Sequence, residues 1–142
     1  MHVRKFFLLL LMMLAVIPFV SAQDEMESEG PTIPYFQTGI MNVPVPQMGW
    51  TNQSEGNVAL FTNEDLSATI RVQPVDTLLV EEAIPMALEP LLDETLPEPV
   101  FEGRVALNTG NWYQQHYEIG DMSITGASTL RGDRTFVILF WE

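Results

Sequence analysis

Apolar residues along this chain keep two different periods, and the change from one to the other divides it. Ala68, Ile70 and Val72 alternate with Thr69, Arg71 and Gln73, the pattern of a strand with one wet face. The run NVALFT at 57–62 precedes it, and the turn-forming NEDL lies between, so the two runs predict an antiparallel hairpin. In VDTLLVEEAIPMALEPLLDETLP the period lengthens: Val80, Ala83, Ile84, Ala87, Leu88 and Leu91 recur at spacings of three and four, which predicts a helix with one apolar stripe. Asp76 is expected to cap its start, with Glu81 and Glu82 early, where the helix dipole favours negative charge. Pro85 is expected to kink or split this helix, because its ring clashes with the preceding turn, and Pro90 and Pro97 close the helical region.

After the helix the period returns to two. Glu102–Leu107, Trp112–Ile119, Met122–Leu130 and Arg134–Trp141 are four predicted strands, punctuated by NTGN, GD and RGD; links this short imply a meander of antiparallel neighbours. Upstream, VPVPQMGW carries Pro44 and Pro46 and is expected to be an edge strand or an extended lead-in, since proline cannot donate to a ladder. The expected fold class is α+β: an antiparallel sheet of about six strands (hairpin, helix, then β-meander) with one kinked helical segment packed on a face. Residues 40–142 are expected to form that single domain.

The N-terminus reads differently. Arg4 and Lys5 precede the uncharged run Phe6 to Val20, and Val20-Ser21-Ala22 offers small or β-branched residues before a cleavage point. This is the form of a secretory signal peptide over 1–22, cut between Ala22 and Gln23. The run is short for a permanent span, which needs about 20 apolar residues. Residues 23–39 are expected to be an acidic, Pro/Gly-containing disordered tether: Asp24, Glu25, Glu27 and Glu29 stand there with little apolar surface to offset chain entropy.

Charge and cysteine content narrow the chemistry. The 142-residue chain has 6 basic and 19 acidic residues. Without Arg4 and Lys5, four arginines against the same 19 acidic residues leave −15. Such a charge repels phosphate backbones, so nucleic acid is not an expected partner. The absence of cysteine excludes disulfides, thiolate catalysis and sulfur-ligated metals.

Candidate site residues are few. His116 is the only histidine beyond the leader. Strand alternation places it with Trp112, Gln114 and Glu118 on one face, while Tyr113, Gln115, Tyr117 and Ile119 occupy the other, more apolar face. Trp112, Gln114, His116 and Glu118 are therefore the candidate ligand face, with His116 as a surface residue rather than a general base. Ser123 and Ser128 lie in GDMSITGASTL without a G-x-S-x-G frame, and a lysine partner is impossible because no lysine follows Lys5. Arg131-Gly132-Asp133 spells an adhesion tripeptide but is also what a tight hairpin turn favours. Asn52-Gln53-Ser54 fits a glycosylation sequon. No catalytic residue, metal ligand or cofactor site is assigned, and the chain by itself is not expected to be an enzyme.

The order VPVPQMGWTNQSEGNVALFTNEDLSATIRVQPVD, a helix, NWYQQHYEIGD and GDRTFVILF resembles the domain that directly follows the signal peptide in bacterial secreted β-lactamase-related serine hydrolases. At the level of fold it is similar to PsbP-like and DcrB-like sheets. The resemblance spans roughly residues 40–141 and rests on Pro-x-Pro-x-x-Gly-Trp, the strand-turn-strand and Trp-x-x-x-x-Tyr. It implies an antiparallel sheet with helices against it. It also implies that the chemistry belongs to a separate downstream domain carrying Ser-x-x-Lys, so no functional residue transfers to this chain.

The resulting expectation is an exported noncatalytic domain, periplasmic or extracellular, that serves as a binding or accessory module for an unknown protein or small-molecule ligand. The alternative is that the chain is the N-terminal part of such a hydrolase, cut short at its C-terminus. In that case the final strand VILFWE is expected to leave Phe140 and Trp141 uncovered and to support association.

Overall fold

The structure is a computed structural model in which residues 33–142 are described. The expected signal peptide, its cleavage point at Ala22–Gln23 and the tether up to residue 32 lie outside the described residues. In chain order the elements are β1 (Tyr35–Gln37), β2 (Asn42–Pro44), β3 (Thr51–Asn52), β4 (Ala59–Asn63), β5 (Ala68–Val75), helix α1 (Val80–Leu88), β6 (Phe101–Leu107), β7 (Gly110–Ile119), β8 (Met122–Arg131) and β9 (Arg134–Trp141). Strands β1 and β2 form a small two-stranded sheet, and the other seven form one sheet in the order β3-β4-β5-β9-β8-β7-β6. Every neighbouring pair is antiparallel.

The α+β expectation with about six strands is therefore corrected. Strands hold 53% of the described residues and helix only 11%, so the domain is predominantly β. Two local causes produce the difference. The expected helical region shrinks to nine residues, Val80–Leu88, followed by one 3-10 turn at Glu89–Leu91. Beyond it Pro97 and Pro99 cannot donate to a helix, and the chain to Val100 has no helix or strand. In addition, the N-terminal segment supplies strands of its own. Tyr35–Gln37, inside the span expected to be tether, pairs with Asn42–Pro44. Asp76 does not cap α1 either. The N-cap position is Leu79, which has no side-chain cap, and Thr77 Oγ1 accepts the Leu79 N–H at 3.1 Å. Pro85 sits within the helix without ending it.

The C-terminal strand stands in a different place from the expected one. Once α1 and the segment after it have carried the chain from β5 to the far edge, the meander β6-β7-β8-β9 returns and places β9 beside β5. Strand β9 pairs with β5 along one side and with β8 along the other. Phe140 is only 4% exposed, and Trp141 packs partly buried against the helix-side core. An interior strand has no free ladder, so β9 offers no open edge on which another strand could pair.

Each face of the sheet carries a core. On one face, Ala59, Phe61, Ile70, Val72, Ile138 and Phe140 are buried with Val43 of β2, and Phe36, Met41, Val45 and Trp50 pack against them. On the other, α1 lays Ala83, Ile84, Ala87 and Leu88 over Tyr117, Ile119, Ile124, Val137 and Leu139. Close approach of helix and sheet depends on Gly126. A Cβ at that position would stand 2.5 Å from Ile84 Cγ2 and 3.2 Å from Leu139 Cδ2. Ser128 Oγ then donates to the Val80 carbonyl at 2.6 Å and ties the first turn of the helix to β8.

The meander is closed by tight turns. Gly120 and Gly132 have φ of 60° and 62° and each precedes an aspartate. Ile119 pairs with Met122 and Arg131 with Arg134 across these two-residue links. Positive φ at the first central position is the requirement that glycine meets in such hairpins. The Arg-Gly-Asp tripeptide is thus the β8–β9 hairpin turn.

Candidate functional site

Strand β7 positions the candidate face. Its alternation places Trp112, Gln114, His116 and Glu118 on the side covered by the small sheet, and Tyr113, Gln115, Tyr117 and Ile119 under α1. The four expected face residues do not share one fate. Trp112 is 6% exposed and belongs to the core around Val43 and Phe61; its indole N–H donates to Thr109 Oγ1 at 3.1 Å. Gln114 and His116 are half-buried and Glu118 is exposed. The usable strip is therefore Gln114, His116 and Glu118, beyond the reach of the β1–β2 cover.

Cross-strand neighbours complete that strip. His116 lies opposite Phe101 on β6 and Thr125 on β8, Gln114 opposite Gly103 and Ala127, and Glu118 opposite Ser123. His116 Nδ1 and Thr125 Oγ1 share a hydrogen bond of 3.0 Å, while His116 Nε2 stands 3.9 Å from Glu118 Oε1. The Phe101 ring is 47% exposed and lies across Gly103, with its Cζ 3.2 Å from where a Cβ on that glycine would be. The strip thus combines an amide, an imidazole, a carboxylate and one aromatic face on a rigid sheet. Phe101, Thr125 and Gly103 went unassigned in the sequence reading. Their signal is the antiparallel register, which shows them opposite His116 and Gln114 only once the strand pairs are known.

Strand alternation separates Ser128 from His116, and the register sets Ser123 opposite Glu118 instead of the imidazole. Ser128 is fully buried under α1, on the opposite face from His116, and its hydroxyl is engaged by Val80. Ser123 shares the face of His116 but lies opposite Glu118, and the hydroxyl that meets the imidazole is that of Thr125, 3% exposed. A depression of about 370 Å³ is lined by Pro74, Val75, Asp76, Asp133 and Arg134, away from these residues.

The helix-side face holds a chain of polar contacts. Tyr117 OH donates to Gln115 Oε1 at 3.0 Å, Gln115 Nε2 donates to Glu102 Oε2 at 3.4 Å, and Tyr113 OH donates to the same oxygen at 2.8 Å. Burial, then the nearby Tyr113, Glu102 and Glu98, pushes the Tyr117 phenol up to about 12. Burial raises Tyr113 as well, followed by its hydrogen bond to Glu102 and the charges of Glu102 and Glu81. Both shifts favour the protonated phenols, which act as hydrogen-bond donors under α1.

Among the described residues no group of three or more His, Asp or Glu is placed to hold a metal ion, and no helix is long and apolar enough to cross a membrane. The fold and the strip define a predominantly β domain built on one antiparallel sheet. Compared with known proteins, the chain matches no protein-family model and no curated protein.

Proposed function

We propose that this chain is an exported, noncatalytic β-sheet domain that acts as a binding or accessory module in the bacterial envelope or exterior. The strip formed by Gln114, His116, Glu118 and the exposed Phe101 is its contact surface. One observation carries this reading: the hydroxyl that meets His116 is that of buried Thr125, while Ser128 lies on the opposite face and Ser123, on the same face, stands opposite Glu118 rather than the imidazole. An aromatic plate beside an amide, an imidazole and a carboxylate suits a small polar ligand or the side chains of a partner protein. The leader composition supports export, and the acidic chain disfavours polyanionic partners.

The test is an NMR titration of the ¹⁵N-labelled 23–142 chain with a panel of oligosaccharides and short peptides. Shift changes are expected to cluster at Phe101, Gln114, His116 and Glu118. A ligand whose shifts map instead to Asp76 and Arg134 would overturn the assignment of the strip. The resemblance to the leading domain of secreted β-lactamase-related hydrolases supports an accessory role beside a catalytic domain. Reading the coding sequence past codon 142 for an in-frame Ser-x-x-Lys motif checks that part.

A further inference from the structure

The two ends of the large sheet are treated differently by the chain. At the β3–β4 end, the strand is only two residues long. The segment after it folds back, so that Gln53 N–H donates to the Leu60 carbonyl and Ser54 Oγ accepts the Leu60 N–H, both within 2.9 Å. That edge strand is short, and the β4 backbone just beyond it is already engaged at Leu60, which limits the ladder open to another chain. At the other end β6 runs for seven residues without proline, pairs with β7 in an unbroken register, and has no strand on its outer side among the described residues.

We propose that β6 is a self-association edge, on which a second copy of this chain adds its own β6 in antiparallel fashion and extends the sheet across a two-fold axis at Gly103. The occupant follows from the side chains. Centring the register on Gly103 sets Glu102 of one copy opposite Arg104 of the other, and the symmetry repeats the pair. Phe101 falls opposite Val105, again twice, an aromatic and a β-branched residue on the same face. Centring on Arg104 or on Glu102 would oppose like charges. Glu102 and Arg104 are both exposed, and the Arg104 guanidinium already leans on Glu81 of α1, so it is poised on the sheet surface. Gly103 keeps the axis clear: each Phe101 ring folds over its own glycine and needs the space that a side chain would take. Phe101 belongs both to this edge and to the proposed contact strip, and sedimentation of the chain without ligand reads the assembly alone.

Seven residues of strand pairing bury less than the roughly 1,200 Å² of a standard interface, so the dimer is weak, with a Kd on the order of 10 μM to 0.1 mM. The charge of the chain opposes approach, and measurement belongs at about 0.15 M salt or above, where the Debye length is near 8 Å. Sedimentation equilibrium of the 23–142 chain up to about 1 mM is expected to show a reversible monomer–dimer equilibrium. Glu102→Arg alone and Arg104→Glu alone are each expected to weaken it about tenfold or more, and the double exchange to restore it, because the swapped charges face each other again. Amide exchange in the unmodified chain supplies a second readout: outward-facing β6 amides are expected to slow as concentration rises while β3 amides do not. A chain that stays monomeric at the highest concentration, or a dimer indifferent to both single exchanges, overturns the proposal.

Discussion

Replacing Gly126 by alanine is the sharpest probe of how α1 sits on the sheet. The backbone at Gly126 is not in the left-handed region, so an ordinary strand glycine there would gain about 0.5–1 kcal/mol from the change through reduced chain entropy. Here the added Cβ meets Ile84 Cγ2 at 2.5 Å and Leu139 Cδ2 at 3.2 Å. Both neighbours are fully buried, and Ile84 is β-branched and held between helix and sheet, so neither can swing aside. Overpacking of this kind costs about 1–3 kcal/mol. For a domain of this size that lowers Tm by roughly 4–12 °C. Urea unfolding followed by tryptophan fluorescence measures it, and a double-mutant cycle with Ile84→Ala assigns it. Ile84→Ala alone is expected to cost about 2–5 kcal/mol, and adding Gly126→Ala to that background is expected to cost almost nothing. A Gly126→Ala variant as stable as the parent, or a cycle with no coupling, would refute the tight seating of α1 on β8.

Other substitutions test neighbouring details. Leu79 occupies the N-cap of α1 without a side-chain cap, so Leu79→Asp is expected to raise stability by about 0.5–1 kcal/mol in a urea melt; loss of stability would mean that Leu79 packs in a way its exposure does not suggest. Thr135 Oγ1 is buried with no hydrogen-bond partner, and Thr135→Val, which keeps the shape and removes the orphan oxygen, is expected to be neutral or to stabilise by about 1 kcal/mol. The raised pKa of Tyr117 links folding to alkaline pH. The unfolded phenol ionises near 10 and the folded one near 12, so the native state holds the proton more tightly. Its contribution is intact below pH 10 and is lost as pH climbs from 10 to about 12, at most about 3 kcal/mol. Tyr117→Phe should shrink the fall in urea midpoint over that window, and an unchanged fall would count against it.

The second half of the fold was readable in advance because local signals agree there. Alternating residues from Glu102 to Trp141, with Gly120-Asp121 and Gly132-Asp133 between them, specify strands and turns within a few residues of one another, and all four strands occur where the pattern puts them. The helical stripe was also correct in its buried residues Ala83, Ile84, Ala87 and Leu88, but the three prolines at 90, 97 and 99 shortened what periodicity alone extended. Strands of two or three residues such as β1 and β3 leave no periodic trace, since long-range pairing and the packing of Phe36 and Val43 create them. Strand order was equally hidden. That β9 ends in the middle of the sheet follows from where the segment after α1 drops the chain, a property no single strand carries. The candidate face was half legible: alternation separated its residues correctly, yet Trp112 became core because a distant hairpin covers its end of β7.

The proposal that matters most is that His116, Ser123 and Ser128 are structural or contact residues and not parts of a catalytic centre. Treatment of the folded 23–142 chain with a fluorophosphonate probe, followed by mass spectrometry, tests it directly. The account predicts no labelled serine above the level of the heat-denatured chain. Labelling of the native chain that disappears in both Ser123→Ala and His116→Ala would contradict it.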